Sequence, residues 1–321
     1  MGRAFYIGYS CDELIRFRSS SGGIGTTIIK YLLSLQDYGT ALTFYFNKDK
    51  CMYEPKLIYS YEEYNNCGSI YQDVNVVRFV NDNIEKIKNG IVVTCMPCQV
   101  KAIKNILNKR NIKCFIISFC CSGQTTVQGT WCYYRLLGIH KEDVSNIQYR
   151  GNGWPSGIQI ELRNGEIIKK DNYTYPWTLM HRSLLFRPQR CYYCNEDISY
   201  NADVSLADPW LKEYKDNDRI GNTLFVVNTE MGVKCISELK KCKKIFCTES
   251  SYEKYYMANG HTTRYKAGCS QRKLQNKLLK KLASNSKYCD FVSSNSRRLQ
   301  FHINWILYII SKMNALSCKW K

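Results

Sequence analysis

The chain of 321 residues reads as an α/β protein: a mixed, largely parallel sheet with flanking helices, plus a basic helical C-terminal appendage. Three observations predict it. A strand–helix–strand unit lies near residues 90–123, strands rich in β-branched and aromatic residues flank it, and the composition changes near Ala267. Hydrophobic residues at 45% and charged residues at 23% are ordinary for a globular protein and exclude a disordered chain. No apolar run approaches the roughly 18 residues that a membrane-spanning helix needs. The first residues, MGRAFYIGYSCDEL, lack the apolar stretch and cleavage site of a secretory signal, so a cytoplasmic location is expected.

Along the chain, Asp12 to Gly23 is polar and then rich in Ser and Gly. It opens a helix whose apolar residues Ile24, Ile28, Leu32 and Leu35 recur at helical spacing. ALTFYF (41–46), KLIYS (56–60) and NVVRFV (75–80) read as strands. Ile91 to Thr94 is a short continuous apolar run, as in a strand covered on both faces. Pro97 suits the first turn of a helix, and Val100, Ile103 and Leu107 form one face of it. Asn111 ends that helix, and Ile112 to Phe119 is a second buried strand. A crossover this short makes the two strands parallel. Cys98 and Cys121 each follow the C-terminal end of a strand, so both face the rim where open α/β sheets place their sites. Further on, GIQIEL and GEIIKK flank Asn164-Gly165, a tight-hairpin signal. ADVSLAD (202–208) and TLFVVN (223–228) are two more strands. The division that follows is residues 1–266 for the α/β domain and 267–321 for the basic helical tail.

Seventeen cysteines, an odd number in a long chain, favour free thiols or metal ligands over a disulfide framework. Most need be no more than small buried hydrophobes. Cys98, Cys121 and the pair in Cys191-Tyr192-Tyr193-Cys194 stand out. Together they supply the four soft thiolates that a cubane iron–sulfur cluster requires. A structural zinc site in a non-catalytic binding protein is the alternative, although zinc ribbons favour two CxxC pairs closer together. Cys95-Met96-Pro97-Cys98 is also a CxxC, but a thioredoxin-like dithiol would leave the second pair without a role. Spacing leaves open whether Cys120 or Cys121 is the ligand.

A second constellation is Arg16-Phe17-Arg18-Ser19-Ser20-Ser21-Gly22-Gly23. Glycines admit close backbone approach, the following helix N-terminus presents free N–H groups, and arginines add bidentate donors. The set would suit the pyrophosphate of FAD, and equally an N-cap and turn. Tyr149-Arg150-Gly151-Asn152-Gly153-Trp154-Pro155 could stack on a flavin ring or form a turn anchored by a buried Trp. Asp203 and Asp208, an odd number apart, do not read as an acid/base pair.

The net charge of +19 is concentrated. From Gln271 to Lys321 there are eleven basic residues against one acid, Asp290. No nucleic-acid motif accompanies this charge, so no nucleic-acid partner is expected. Leu274, Leu278 and Leu282 with intervening lysines make an amphipathic helix, suited to an anionic membrane surface or to docking on the main domain. The tail's charge also suits an acidic electron donor such as a ferredoxin.

With these segments assembled, the sequence resembles the coenzyme F420-reducing hydrogenase/dehydrogenase beta subunits. The resemblance rests on Arg18-Ser19-Ser20-Ser21-Gly22-Gly23, Cys95-Met96-Pro97-Cys98-Gln99, Phe119-Cys120-Cys121-Ser122-Gly123, Tyr149-Arg150 with Gly153-Trp154, Cys191 with Cys194, Ala202-Asp203-Val204 with Ala207-Asp208-Pro209-Trp210, and Asn228-Thr229-Glu230-Met231-Gly232. The order is the family's own. The resemblance implies an oxidoreductase with FAD and a [4Fe-4S] cluster, passing electrons between a ferredoxin-like donor and a small redox cofactor of the flavin or deazaflavin type. It implies Cys98, Cys121, Cys191 and Cys194 as cluster ligands, and Arg18, Ser20, Ser21, Gly22, Gly23, Tyr149, Arg150 and Trp154 as flavin contacts. Three departures stand out. Gly68-Ser69-Ile70-Tyr71 has Ile70 where the family has lysine, Cys95-Met96 replaces Gly-Thr, and no ferredoxin-like C-x2-C-x2-C-x3-C module is present, so any second cluster is expected on a partner.

Overall fold

The computed structural model describes residues 3–65, 68–171, 174–182 and 186–268; the basic tail lies outside the described residues. The chain opens with strand β1 (Ala4–Ser10) and helices α1 (Glu13–Arg18) and α2 (Ile24–Leu33). Strands β2 (Thr40–Asn47) and β3 (Met52–Ile58) follow, then α3 (Val76–Asp82), β4 (Ile91–Thr94), α4 (Val100–Asn108) and β5 (Cys114–Phe119). After α5 (Val127–Leu136) come β6 (Val144–Gln148), β7 (Ile158–Leu162), β8 (Ile167–Lys170) and α6 (Trp177–Arg182). The last elements are β9 (Val204–Ala207), α7 (Lys212–Asn217), β10 (Thr223–Val227), α8 (Glu230–Lys241), β11 (Ile245–Ser250) and α9 (Tyr252–Ala267).

Eight strands form the main sheet in the order β11-β1-β10-β9-β5-β4-β2-β3. Pairing is parallel through the centre, β2–β4–β5–β9, and antiparallel at both flanks, so five of the eight strands run one way. The mixed, largely parallel α/β architecture expected from the sequence is present. β6, β7 and β8 make a separate antiparallel sheet whose β7–β8 turn carries Asn164-Gly165.

Side chains alternate across a strand, and here both faces are covered. Val92, Phe115, Ile117 and Phe225 pack with Ile24, Ile28, Leu32 and Leu239 of α2 and α8. Ile91, Val93 and Ile116 point the other way, against Val76 and Val80 of α3 and Val100, Ile103 and Leu107 of α4. Leu224 and Val226 meet Tyr255 and Ala258 of α9. The result is a three-layer sandwich of helices, sheet and helices.

One predicted strand is a helix. Residues 75–80, NVVRFV, have strand composition, yet Asn75 caps α3 by accepting from the Arg78 N–H. Val76 and Val80, four apart, bury one side of it. A local cap and an i,i+4 apolar pair outweigh β propensity.

Asp203 stitches the sheet to α8. Its fully buried carboxylate accepts from the Ile116 N–H at 2.7 Å and from the Thr229 hydroxyl at 2.6 Å. Thr229 in turn caps α8 by accepting from the Gly232 N–H. A Cβ on Gly232 would meet the Asp203 carbonyl oxygen at 2.5 Å, so glycine is required there. A hydrogen bond to a charged group contributes about 1.5–3 kcal/mol. Asp203→Ala should therefore lower the unfolding free energy by at least that amount, measured by urea denaturation at unchanged slope.

Candidate functional site

The parallel pairing of β4 with β5, in register from Ile91↔Cys114 to Thr94↔Ile117, brings both strand ends to one rim. Beyond β4 a short turn carries exposed Cys98 into α4, and beyond β5 the chain passes through Cys120 and Cys121. The Cys191 N–H bonds the Pro188 carbonyl at 2.9 Å, forming the turn that carries Cys191 and Cys194 to the same place. Cys194 lies within the electrostatic reach of Cys98, and Cys98 and Cys191 both lie within that of Cys121.

The Cys98 thiol and then the Lys266 ammonium hold Cys194 down to about 5, while its bond to the Cys194 thiolate pushes Cys98 upward. Burial pushes Cys121 up to about 11, against the pull of Lys266 and Arg187. Cys120 looks elsewhere: its thiol meets the Tyr255 hydroxyl at 3.6 Å, and burial raises it to about 12. Both residues line a cavity at this rim, Cys121 within the electrostatic reach of Cys98 and Cys191, and Cys120 bonded to Tyr255 of α9. Among the described residues no three ligating side chains lie close enough to share a single metal ion. The donor set, four thiols converging from three loops, fits a multi-iron cluster in chemistry and number.

A cavity of about 320 Å³ adjoins this rim, and Cys121, Ser122 and Gly123 form part of its wall. The opposite wall is Ser19, Ser20, Ser21 and the first turn of α2, Ile24, Gly25 and Thr26. Gly23 caps α2 in the left-handed conformation, φ 78°, with no side-chain cap, and the first turn lines the cavity through Ile24, Gly25 and Thr26. Two buried polar atoms of the wall, Ser19 Oγ and Gln124 Oε1, have no hydrogen-bond partner among the described residues. Unpaired buried acceptors beside an uncapped helix N-terminus fit a polar ligand carrying an anionic group.

Arg150 organises the wall from behind. Its buried guanidinium forks onto both Asp208 oxygens at 2.6 and 2.9 Å and donates to the Ser20 carbonyl at 2.6 Å. The Ser20 hydroxyl accepts from the Ser69 N–H, and the Ser21 hydroxyl bonds Thr223. Ser20, Ser21, Gly23 and Arg150 line the cavity; Gly22 sits just behind, its N–H donating to Thr223 Oγ1.

Besides Gly22, three expected flavin contacts do not line it. Arg18 is exposed on α1. Tyr149 is fully buried in the core under the smaller sheet, bonded to Thr130 and Gln72. Trp154 is 1% exposed, donates to Asp208 and packs on Trp210, so it anchors a turn. For Tyr149 and Trp154, packing and structural hydrogen bonds have taken up the side chain. Sequence reasoning also missed Gln124, which lines the cavity, and Arg187, which is buried against Gly123 of its wall.

The segment from residue 88 to 253, just over half of the chain, matches the family described as coenzyme F420 hydrogenase/dehydrogenase, C terminus of the beta subunit. The chain belongs to that family. A solved structure of the F420-reducing [NiFe] hydrogenase complex from Methanosarcina barkeri contains a similar chain, with 13% identity and a TM-score of 0.63. The match covers 86% of this chain and 92% of that one, and at such identity the likeness is one of fold. No curated protein matches the sequence. Within the family pattern, the departures fall on the cavity: Ile70, Cys95 and Met96 all line it, and Met96 Sδ accepts from Gln124.

Removing one partner of a buried ion pair costs about 3–5 kcal/mol, because the other charge is stranded. Arg150→Met should lose stability on that scale, and Arg150→Met with Asp208→Leu should regain part of it in a thermal-melt double-mutant cycle.

Proposed function

We propose that the protein is an iron–sulfur flavoprotein that passes electrons between a ferredoxin-like donor and a flavin- or deazaflavin-type acceptor. The observation that carries the reading is that Cys121, which lies in the electrostatic reach of Cys98 and Cys191, forms part of the wall of a cavity that Ser20, Ser21 and the first turn of α2 also line. Cys98, Cys121, Cys191 and Cys194 would hold a [4Fe-4S] cluster. FAD is the second cofactor proposed, its ring in the cavity and its phosphates toward Ser20, Ser21 and the first turn of α2. The cluster supplies one-electron steps, and the flavin joins these to two-electron chemistry.

The residues present do the rest. The N–H groups of Ile24, Gly25 and Thr26 favour an anion at that wall. Arg150, spent on Asp208 and Ser20, holds the serine loop in place without contributing free charge. Apolar Ile24, Leu42, Ile117 and Leu206 keep water from the inner part of the cavity, where Cys121 meets it. The exposed Cys98 edge is the side from which a protein donor has access. Family membership supports an oxidoreductase role of this kind, and the similarity to one chain of a hydrogenase complex supports work alongside partner proteins. Thiolate ligands of this sort persist in a reducing compartment, which supports a cytoplasmic location.

The reading is tested by an absorption spectrum with iron, sulfide and flavin analysis on full-length protein purified without oxygen. About four irons and four sulfides per chain are expected, as a cubane requires, with both lost in Cys191→Ser/Cys194→Ser. Gly25→Asp, which sets a carboxylate in the first turn of α2, should lose the flavin and keep the iron. A colourless protein holding zinc and no sulfide would favour the structural zinc alternative for the same cysteines.

A further inference from the structure

The main sheet ends at one flank on β11, and the outer edge of that strand is open. β11 pairs with β1 alone, and among the described residues no strand lies beyond it. In an antiparallel ladder the backbone groups of successive residues point to alternate sides. The Lys244 carbonyl accepts from the Cys11 N–H, whereas Ser10, opposite Ile245, gives its N–H to the Gly22 carbonyl. Even-numbered residues of β11 therefore bond inward to β1. The N–H and C=O groups of Ile245, Cys247 and Glu249 point outward, where no described strand meets them.

Edge strands are commonly guarded against pairing by proline, by bulges or by lysine within the strand. β11 has none of these. Its sequence is IFCTES, and its register with β1 is unbroken from Phe5↔Ser250 to Ser10↔Ile245. Phe246, which lies beside Tyr9 with ring centroids 5.3 Å apart, leaves 52% of its surface exposed. The charges sit at the two ends. Lys243 and Lys244 are exposed just before the strand, and Glu249 is exposed near its end. Lys241 is paired with Glu238, but Lys243, Lys244 and Glu249 have no ion-pair partner among the described residues.

This layout is complementary to itself under one arrangement. A parallel neighbour would set lysine end against lysine end. An antiparallel copy related by a two-fold axis sets each lysine end beside a glutamate, and the same contact is made twice. We propose that two copies of this chain pair through their β11 edges as antiparallel neighbours, which joins their main sheets into one. In the register centred on Phe246 the two Phe246 rings face each other in a non-hydrogen-bonded pair, where side chains approach most closely. Ile245 then exchanges backbone hydrogen bonds with Cys247 of the second copy, and the Lys243-Lys244 turn lies beside its Glu249. β5 and β4 are four and five strands away from this edge, roughly 19–24 Å at ordinary strand spacing. The pairing therefore leaves the cavity and the exposed Cys98 edge open. It stands independently of any cofactor reading.

The experiment is sedimentation equilibrium on the full-length protein over a concentration series, with residue-resolved amide hydrogen exchange. The parent should form dimers, with slowed exchange at Ile245, Cys247 and Glu249 as dimer accumulates. Glu249→Lys should weaken the dimer about tenfold, and adding Lys243→Glu and Lys244→Glu should bring it back to within about threefold of the parent. Glu249→Pro, which removes an outward donor and no bond to β1, should abolish the dimer at unchanged near-ultraviolet circular dichroism. If the proline variant does not fold, the charge-swap series still decides. A parent that stays monomeric at every concentration overturns the proposal, and slow exchange of those three amides in that monomer would show another segment of the chain on the edge. A dimer whose strength none of these substitutions changes overturns it as well, since the interface then lies elsewhere.

Discussion

The site depends on one constraint, the parallel pairing of β4 with β5. Parallel neighbours send their C-terminal ends to the same edge, so cysteines that follow two different strands arrive side by side. Antiparallel pairing would place them at opposite ends of the sheet. The crossover helix α4 enforces the parallel arrangement by burying Val100, Ile103 and Leu107 on the face opposite α2. β9 extends the parallel block, and its end delivers Asp208 to the back of the cavity wall. Both walls of the cavity thus trace back to strand direction.

Several family segments that read as cofactor contacts are structural joints. Arg150 and Asp208 lie far apart in sequence, yet their buried pair fastens the serine loop through the Ser20 carbonyl. Ala202-Asp203 and Asn228-Thr229 close a second joint. The Asn228 amide donates to the Ala202 carbonyl, the Thr229 hydroxyl donates to Asp203, and Asp203 takes the Ile116 N–H. Such groups are worth more for geometry than for chemistry. They hold a rigid frame around a cavity whose own polar atoms are left unpaired.

Much of the centre of the fold was legible because its signals are local. Ile91–Thr94 and Cys114–Phe119 are continuous apolar runs, Pro97 marks a helix start, and Asn164-Gly165 marks a hairpin. The helix at 76–82 was hidden by its own valines, since composition spoke for a strand and only the Asn75 cap spoke against it. The arrival of Cys98 and Cys121 at one rim followed from topology. The fates of Tyr149 and Trp154 did not, because an aromatic side chain looks the same in sequence whether it faces a ligand or a core. Lys266 was beyond reach for the same reason: no neighbour in sequence shows that a helical lysine is buried.

The closing helix α9 gives the site an independent evolutionary handle. Its side chains touch Asp197, Asp208 and Cys120, although the helix continues well past the segment that matches the family. Mutations there can drift without disturbing any cysteine or its spacing. Two homologues with identical ligand motifs can therefore diverge in the surroundings of those ligands, and motif identity alone is a poor guide to functional equivalence in this lineage.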